Sequence, residues 1–265
     1  MLLKTLTATT ALAGLMSLAA PESHAWGQTG HRVTGAIAAH YLSAESRAAL
    51  ERLLGPETLA EASTWADEMR SKQTPFWQEE AGPYHYVTVP DGKRYEDVGP
   101  PPEGDALTAL ARFRETLLSA TASREDRQLA LRFAIHIIGD LHQPLHVGNG
   151  TDRGGNDVEL DFFWDDSNLH RVWDSGMIGK EGLSYSEWTA WLTAKITDQD
   201  LDAWSTPDPM VWVRESAEIR PEVYPESDDL SWQYKFQHIK TVKQRLSRAG
   251  VRMAAWLNTV FAEAG

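Results

Sequence analysis

The chain has 265 residues, no cysteine, and 25 Lys and Arg against 38 Asp and Glu, for a formal charge of −13. That balance excludes a protein that coats nucleic acid non-specifically, because such affinity comes from cations that displace counterions. The missing cysteines exclude disulfides and thiolate metal sites, so a bound metal must take imidazole, carboxylate or backbone donors.

In chain order, residues 1–25 read as a secretory leader. Lys4 supplies a basic start, residues 11–20 an apolar core, and Ser23, His24 and Ala25 the small residues of a cleavage site. Cleavage between Ala25 and Trp26 would deliver a periplasmic or secreted protein. Residues 26–265 contain no linker, repeat or membrane-length apolar run, and are expected to form one domain without stable membrane anchoring, as a monomer.

Helical spacing recurs at Val33, Ile37 and Tyr41, at Ala49, Leu50, Leu53 and Leu54, and at Leu107, Leu110, Phe113 and Leu117. Ser123 is placed to cap a helix over 125–141, which Pro144 should end or kink. Further helices are expected over 185–201, 210–219 and 229–261. The alternating run 84–89 and the run 157–162 behind a Gly-Gly-Asn turn each read as a short strand or an extended edge. The fold expected is mainly α with one or two short β segments.

The chemistry concentrates in HIIGDLHQPLH, residues 136–146. On a helix, His136 and Asp140 are four apart and share a face, so an imidazole and a carboxylate reach one ion; His146 lies beyond Pro144 and serves a neighbouring one. The segment NLHRVWD repeats the device with His170 and Asp174. Alone, each pair reads as a surface hydrogen bond, but two such pairs in a chain without cysteine point to metal.

Upstream, WADEMR offers Asp67 as a donor with Arg70 one turn on, where a guanidinium can grip a phosphate oxygen, although the same pattern serves as a helix salt bridge. Taken singly, His85 reads as a packed core histidine and Trp26 as a buried aromatic. Cleavage would give Trp26 a free α-amine, which with its own carbonyl can chelate a metal beside His31.

Together WGQTGH, WADEMR, YHYV, HIIGDLHQPLH, GGND and NLHRVWD resemble the zinc-dependent single-strand nuclease and 3′-nucleotidase family of the mung bean nuclease type, related to bacterial zinc phospholipase C. The resemblance covers residues 26–174 and implies three Zn²⁺ per chain. By similarity, Asp67, His85 and His136 hold one ion, Trp26 and His31 its partner, with Asp140 bridging; His146, His170 and Asp174 hold the third.

The activity implied is an exported zinc endonuclease and phosphodiesterase acting on single-stranded DNA and RNA to leave 5′-phosphates, with 3′-nucleotidase activity on 3′-nucleotides. The alternative is a zinc phospholipase C acting on lipid head groups. Arg70 and Asn156 would bind phosphate oxygens, Asp67 would orient the nucleophile, and Tyr86 would either stack a base or pack in the core. Some relatives carry an Asp two residues after that aromatic, where this chain has Thr88, so base preference does not carry over. His142, which the family motif does not use as a ligand, is read as supporting the ligands from behind or as structural.

Overall fold

Helical periodicity becomes a mainly α-helical architecture in the computed structural model, which describes residues 26–264. The leader and the Ala25 side of its cleavage site lie outside the described residues. Among the described residues no helix is long and apolar enough to cross a membrane.

The first helix, α1 (Gln28–Tyr41), buries Val33 and Ile37 along the stripe read from the sequence. Ser43 caps α2 (Ala44–Leu54) by accepting from the Ser46 amide. Two short helices follow, α3 (Leu59–Ala62) and α4 (Trp65–Met69), then a π turn over Phe76–Glu80 and a 3-10 turn over Gly82–His85. Beyond β1 (Val87–Thr88) come α5 (Tyr95–Val98), α6 (Ala106–Leu118) and α7 (Arg124–Asp140).

Ser123 caps α7 as expected, its hydroxyl accepting from the Asp126 amide. The helix ends at Asp140, ahead of Pro144, which opens a 3-10 turn (Pro144–His146) leading into β2 (Val147–Gly148). The hairpin of β3 (Glu159–Phe162) and β4 (Asp165–Asn168) precedes α8 (Leu169–Arg171), a π turn (Val172–Gly176) and α9 (Met177–Gly179). The chain continues through α10 (Tyr185–Thr193), α11 (Asp198–Trp204), α12 (Pro209–Ile219), β5 (Asp229–Leu230) and α13 (Trp232–Ala264).

Several sequence expectations need correction. The helix expected over 185–201 is two helices, because Thr197 starts a new one: its hydroxyl accepts from the Asp200 amide while the Asp200 carboxylate reaches back to the Thr197 amide. The stretch expected as helix from 229 begins as a strand, Asp229 and Leu230 pairing in parallel with Asp161 and Phe162. In the alternating run 84–89 only Val87 and Thr88 are strand, since residues 82–85 coil into the 3-10 turn. Polar β4 gave no alternation to read; its pairing with β3 defines it as a strand.

The apolar stripes meet in two clusters. Phe133 of α7 stacks on Phe113 of α6 at 4.9 Å and on Trp77 at 5.3 Å, with Tyr84 edge-on at 5.8 Å. The other cluster joins Trp26, Val33, Ile37, Trp173, Val242 and Leu246. Helix α1 lies along α13, and α7 packs on α6. Between residues 133 and 140 every side of α7 is buried, so His136 and Asp140 project into protein and away from solvent.

Candidate metal centre

Helices α1, α4, α7 and α8, two 3-10 turns and a π turn carry the donors, and the paired strands β1 and β2 tie two of these segments together. His136 and Asp140 share a face of α7 as their spacing predicts, with Nε2 of His136 3.2 Å from Oδ2 of Asp140. His31 of α1 stacks on His136 with ring centroids 4.0 Å apart. That approach depends on Gly139, where a Cβ would stand 2.9 Å from Nδ1 of His31. The His31 Nε2 then lies 3.1 Å from Oδ1 of Asp140.

His85 enters from the 3-10 turn, its Nδ1 2.9 Å from His136 Nε2 and 3.1 Å from Asp140 Oδ2. Asp67 of α4 completes the group, Oδ1 being 3.7 Å from His136 Nε2. Its neighbour Arg70 stands 3.5 Å away, one turn along and partly exposed.

His146, His170 and Asp174 form an adjoining cluster. Nε2 of His170 is 3.0 Å from Asp174 Oδ2, four residues on, although the backbone between them passes from α8 into a π turn and is not one regular helix. The two clusters are tied through the backbone: His146 donates from Nδ1 to the His85 carbonyl at 2.6 Å. The parallel pairing of Val87 with Val147 and Thr88 with Gly148 fixes the strands that follow both histidines.

The proton positions follow from these partners. A carbonyl only accepts, so Nδ1 must carry the proton in His136, facing Ser63 O at 2.7 Å, in His146, facing His85 O, and in His170, facing Gly154 O at 2.7 Å. In the neutral rings each Nε2 is left as a bare lone pair. Those of His146 and His170 point at one another across 3.1 Å.

Burial adds to the mismatch. His31 Nε2 and Asp140 Oδ1 approach without forming a hydrogen bond of good geometry, and His85 Nε2 is buried without a hydrogen-bond partner. Converging lone pairs and carboxylates in a dry pocket are repulsive by themselves and complementary to cations. The donor sets His31–Asp67–His136, His85–His136–Asp140 and His146–His170–Asp174 each gather ligand atoms within 4.8 Å of one another. Imidazole and carboxylate donors of this kind suit zinc, and the rings of His136, His146 and His170 are each oriented by a backbone carbonyl.

Without metal, the demand for positive charge falls on one ring, His136. Burial opposes a charged His136, but Asp140 and Asp67 outweigh it and push the ring up to about 9. Burial, partly offset by Asp140, brings His85 down to about 4. Burial lowers His31 and His146 as well, while Asp140, despite its own burial, is held well below the usual carboxylate range by His136, His31 and His85.

The remaining expected residues are placed as follows. Trp26 is fully buried, and the Gly27 amide donates to the Asp174 carbonyl at 2.8 Å, which sets this segment against the second cluster. Tyr86 is 47% exposed beside the centre, so its ring is open to a ligand and is not a core residue. Asn156 is half-buried, its amide donating to the Arg153 carbonyl at 2.8 Å within its own turn. His142 is buried outside the clusters, with Nδ1 2.7 Å from Ile138 O.

Two residues that the motifs did not single out border the site. Gln143 touches Asp174, and Arg153, with a left-handed φ of 53°, lies with Arg70 within electrostatic reach of Tyr86. The glutamine was readable only as a letter inside the HIIGDLHQPLH motif; the arginine had no sequence signal beyond its place before Gly-Gly-Asn.

Fold and site thus define a mainly helical protein built around buried His and Asp clusters with the donor sets of a metal centre. The family model described as S1/P1 Nuclease matches residues 26–262. Endonuclease 2 of Arabidopsis thaliana is 30% identical, the match covering 92% of this chain and 93% of that protein. Nuclease S1 of Aspergillus oryzae is 28% identical over 90% of this chain and 92% of its own, and Nuclease P1 of Penicillium citrinum 29% identical over 89% and 97%. The chain belongs to the S1/P1 nuclease family, whose members are metal-dependent hydrolases of phosphodiester bonds.

Proposed function

We propose that this protein is an exported three-zinc enzyme that cleaves single-stranded DNA and RNA to 5′-phosphorylated products and removes 3′-phosphates from nucleotides. The observation that carries the reading is the pair of adjoining donor clusters with Arg70 at their edge, 3.5 Å from Asp67. Asp67, His85, His136 and Asp140 would hold one ion, His31 and the freed terminus at Trp26 a second with Asp140 shared, and His146, His170 and Asp174 the third. Zinc bound there supplies Lewis acidity at phosphorus and lowers the pKa of water toward neutrality.

The chain's own residues account for the rest. Arg70 donates to non-bridging phosphate oxygens as their charge redistributes, and Asn156 adds a neutral donor. Asp67, held beside Arg70, accepts from the attacking water and orients it. Exposed Tyr86 gives an unstacked base a face to lie on, which costs little in a single strand and a great deal in a duplex.

The test is to assay protein cleaved before Trp26, with its zinc content measured, on single-stranded DNA, duplex DNA, RNA, 3′-AMP and phosphatidylcholine. Hydrolysis of the single strands and release of phosphate from 3′-AMP are expected. Turnover of phosphatidylcholine alone would overturn the reading in favour of a phospholipase, and three bound zincs without hydrolysis would overturn it outright.

A further inference from the structure

Asp174 stands where three parts of the chain meet. Its Oδ2 faces His170 Nε2 at 3.0 Å, its backbone carbonyl accepts from the Gly27 amide at 2.8 Å, and its Oδ1 accepts from Nε2 of Gln143 at 2.6 Å. Gln143 is fully buried, and its side-chain oxygen accepts from the Leu145 amide at 2.6 Å. These partners settle which end of the amide is which. Reversed, it would set oxygen against the Asp174 carboxylate and NH₂ against the Leu145 N–H, two repulsive contacts in place of two hydrogen bonds.

The backbone of Gln143 is fixed just as firmly. Its N–H donates to the Asp140 carbonyl at 2.9 Å, and its carbonyl accepts from the His146 amide at 3.0 Å. A buried carboxamide costs free energy unless both ends are paired, and an apolar side chain of similar size would fill the space without that cost. What the amide adds is a donor aimed at one oxygen of Asp174. The two oxygens divide between the imidazoles: Oδ2 faces His170, while Oδ1, the oxygen Gln143 holds, is the one on the side of His146, 3.9 Å from its Nε2.

We propose that Gln143 is a positioning residue for the outer cation site: by holding Oδ1 of Asp174 it fixes the rotation of the carboxylate between His146 and His170, with Oδ2 turned to the lone pair of His170, and so sets the affinity of that site for a divalent cation. The inference rests on the zinc phosphodiesterase reading for what the site is used for, but not for its metal affinity. Gln143 touches no substrate. It acts through Asp174.

The test measures zinc affinity by competition with a chelator of known strength. In Gln143→Met the outer zinc should be held about tenfold to a hundredfold more weakly, the usual effect of losing a partner that orients a ligand, while the other two ions stay in place. Excess zinc should restore kcat on 3′-AMP, which a general loss of structure would not allow. Gln143→Asn provides a second variant should the first not fold, because it keeps an amide that is one methylene too short to span Leu145 and Asp174.

In an Asp174→Ala background, Gln143→Met should have no further effect on outer-site affinity, since the residue works only through that carboxylate. Wild-type affinity in both Gln143 variants, or an undiminished effect without Asp174, overturns the proposal. Failure of the functional reading looks different: wild-type protein with three zincs that hydrolyses no phosphoester, a result that leaves the affinity comparison intact.

Discussion

His146 and His170 face each other through Nε2 atoms 3.1 Å apart while each donates its Nδ1 proton to a backbone carbonyl. Two bare lone pairs at that distance repel unless a cation lies between them, so the pair defines a metal position that neither ring defines alone. His170→Ala is expected to lower the metal content by one zinc and keep the inner two, because its partners His146 and Asp174 are not shared with the His31, His85, His136 group. Metal analysis after dialysis checks this; loss of all three ions would mean that the clusters load as a unit.

Arg70 tests the chemistry separately from the metal. Arg70→Ala should keep full zinc content and lower kcat/KM on 3′-AMP about 10² to 10³-fold, the scale of removing one donor from a developing negative charge. Its partly exposed pairing with Asp67 contributes no more than about 1 kcal/mol to stability, so Tm should barely move. An unchanged kcat/KM removes Arg70 from the reaction.

How far the site was legible before folding depended on spacing. His136 with Asp140 and His170 with Asp174 were readable because four residues make one helical turn, and the structure keeps both contacts even where α8 gives way to a π turn. Neither the stacking of His31 on His136 nor the carbonyls of Ser63, His85 and Gly154 that fix the ring protons could be read, because those contacts join segments far apart in sequence. Among elements, α7 was placed within a residue by Ser123 and its apolar stripe. The break before α11 and strand β4 were missed, since a side-chain cap and a pairing partner outweighed local propensity.

The proposed cleavage before Trp26 carries its own expectation. If the freed amine of Trp26 is a donor, protein with even one residue retained ahead of Trp26 should bind two zincs where the cleaved protein binds three, because an amide nitrogen cannot replace an amine as a ligand at neutral pH. Mass spectrometry of the terminus paired with metal analysis measures both quantities on one sample. Three zincs on the extended chain would remove the amine from the site.

Gly154 links backbone conformation to the outer cluster. Its φ is +64°, a Cβ there would lie 2.4 Å from the Leu145 carbonyl oxygen, and its own carbonyl holds the His170 ring. Gly154→Ala should therefore cost about 1 to 3 kcal/mol, for the left-handed backbone and the clash together, and should also weaken outer-site zinc. Thermal melts with and without excess zinc separate these contributions; a variant with wild-type Tm and zinc affinity would show that the turn relaxes freely.

Acid stability should depend on Glu215. Its carboxylate accepts from Arg252 through both oxygens at 2.7 Å and from Arg245 at 2.6 Å, and Arg245 in turn donates to the His142 carbonyl, which anchors α12 and α13 to the segment just after Asp140. Burial raises the Glu215 pKa, but Arg252 and Arg245 outweigh it and hold the group at about 2. Because the folded value lies below the unfolded one near 4.5, the ionised group stabilises the fold fully above about pH 4.5, and that contribution fades as pH falls toward 2. Glu215→Gln leaves buried Arg245 and Arg252 without their counter-charge and should cost about 3 kcal/mol at pH 7, the low end for breaking a buried ion pair because the glutamate is partly exposed. The gap between wild type and variant in urea melts should narrow from pH 5 to pH 2.5, a comparison in which acid-driven loss of metal is common to both proteins. A gap that stays constant over this range would show that the carboxylate does not titrate with folding.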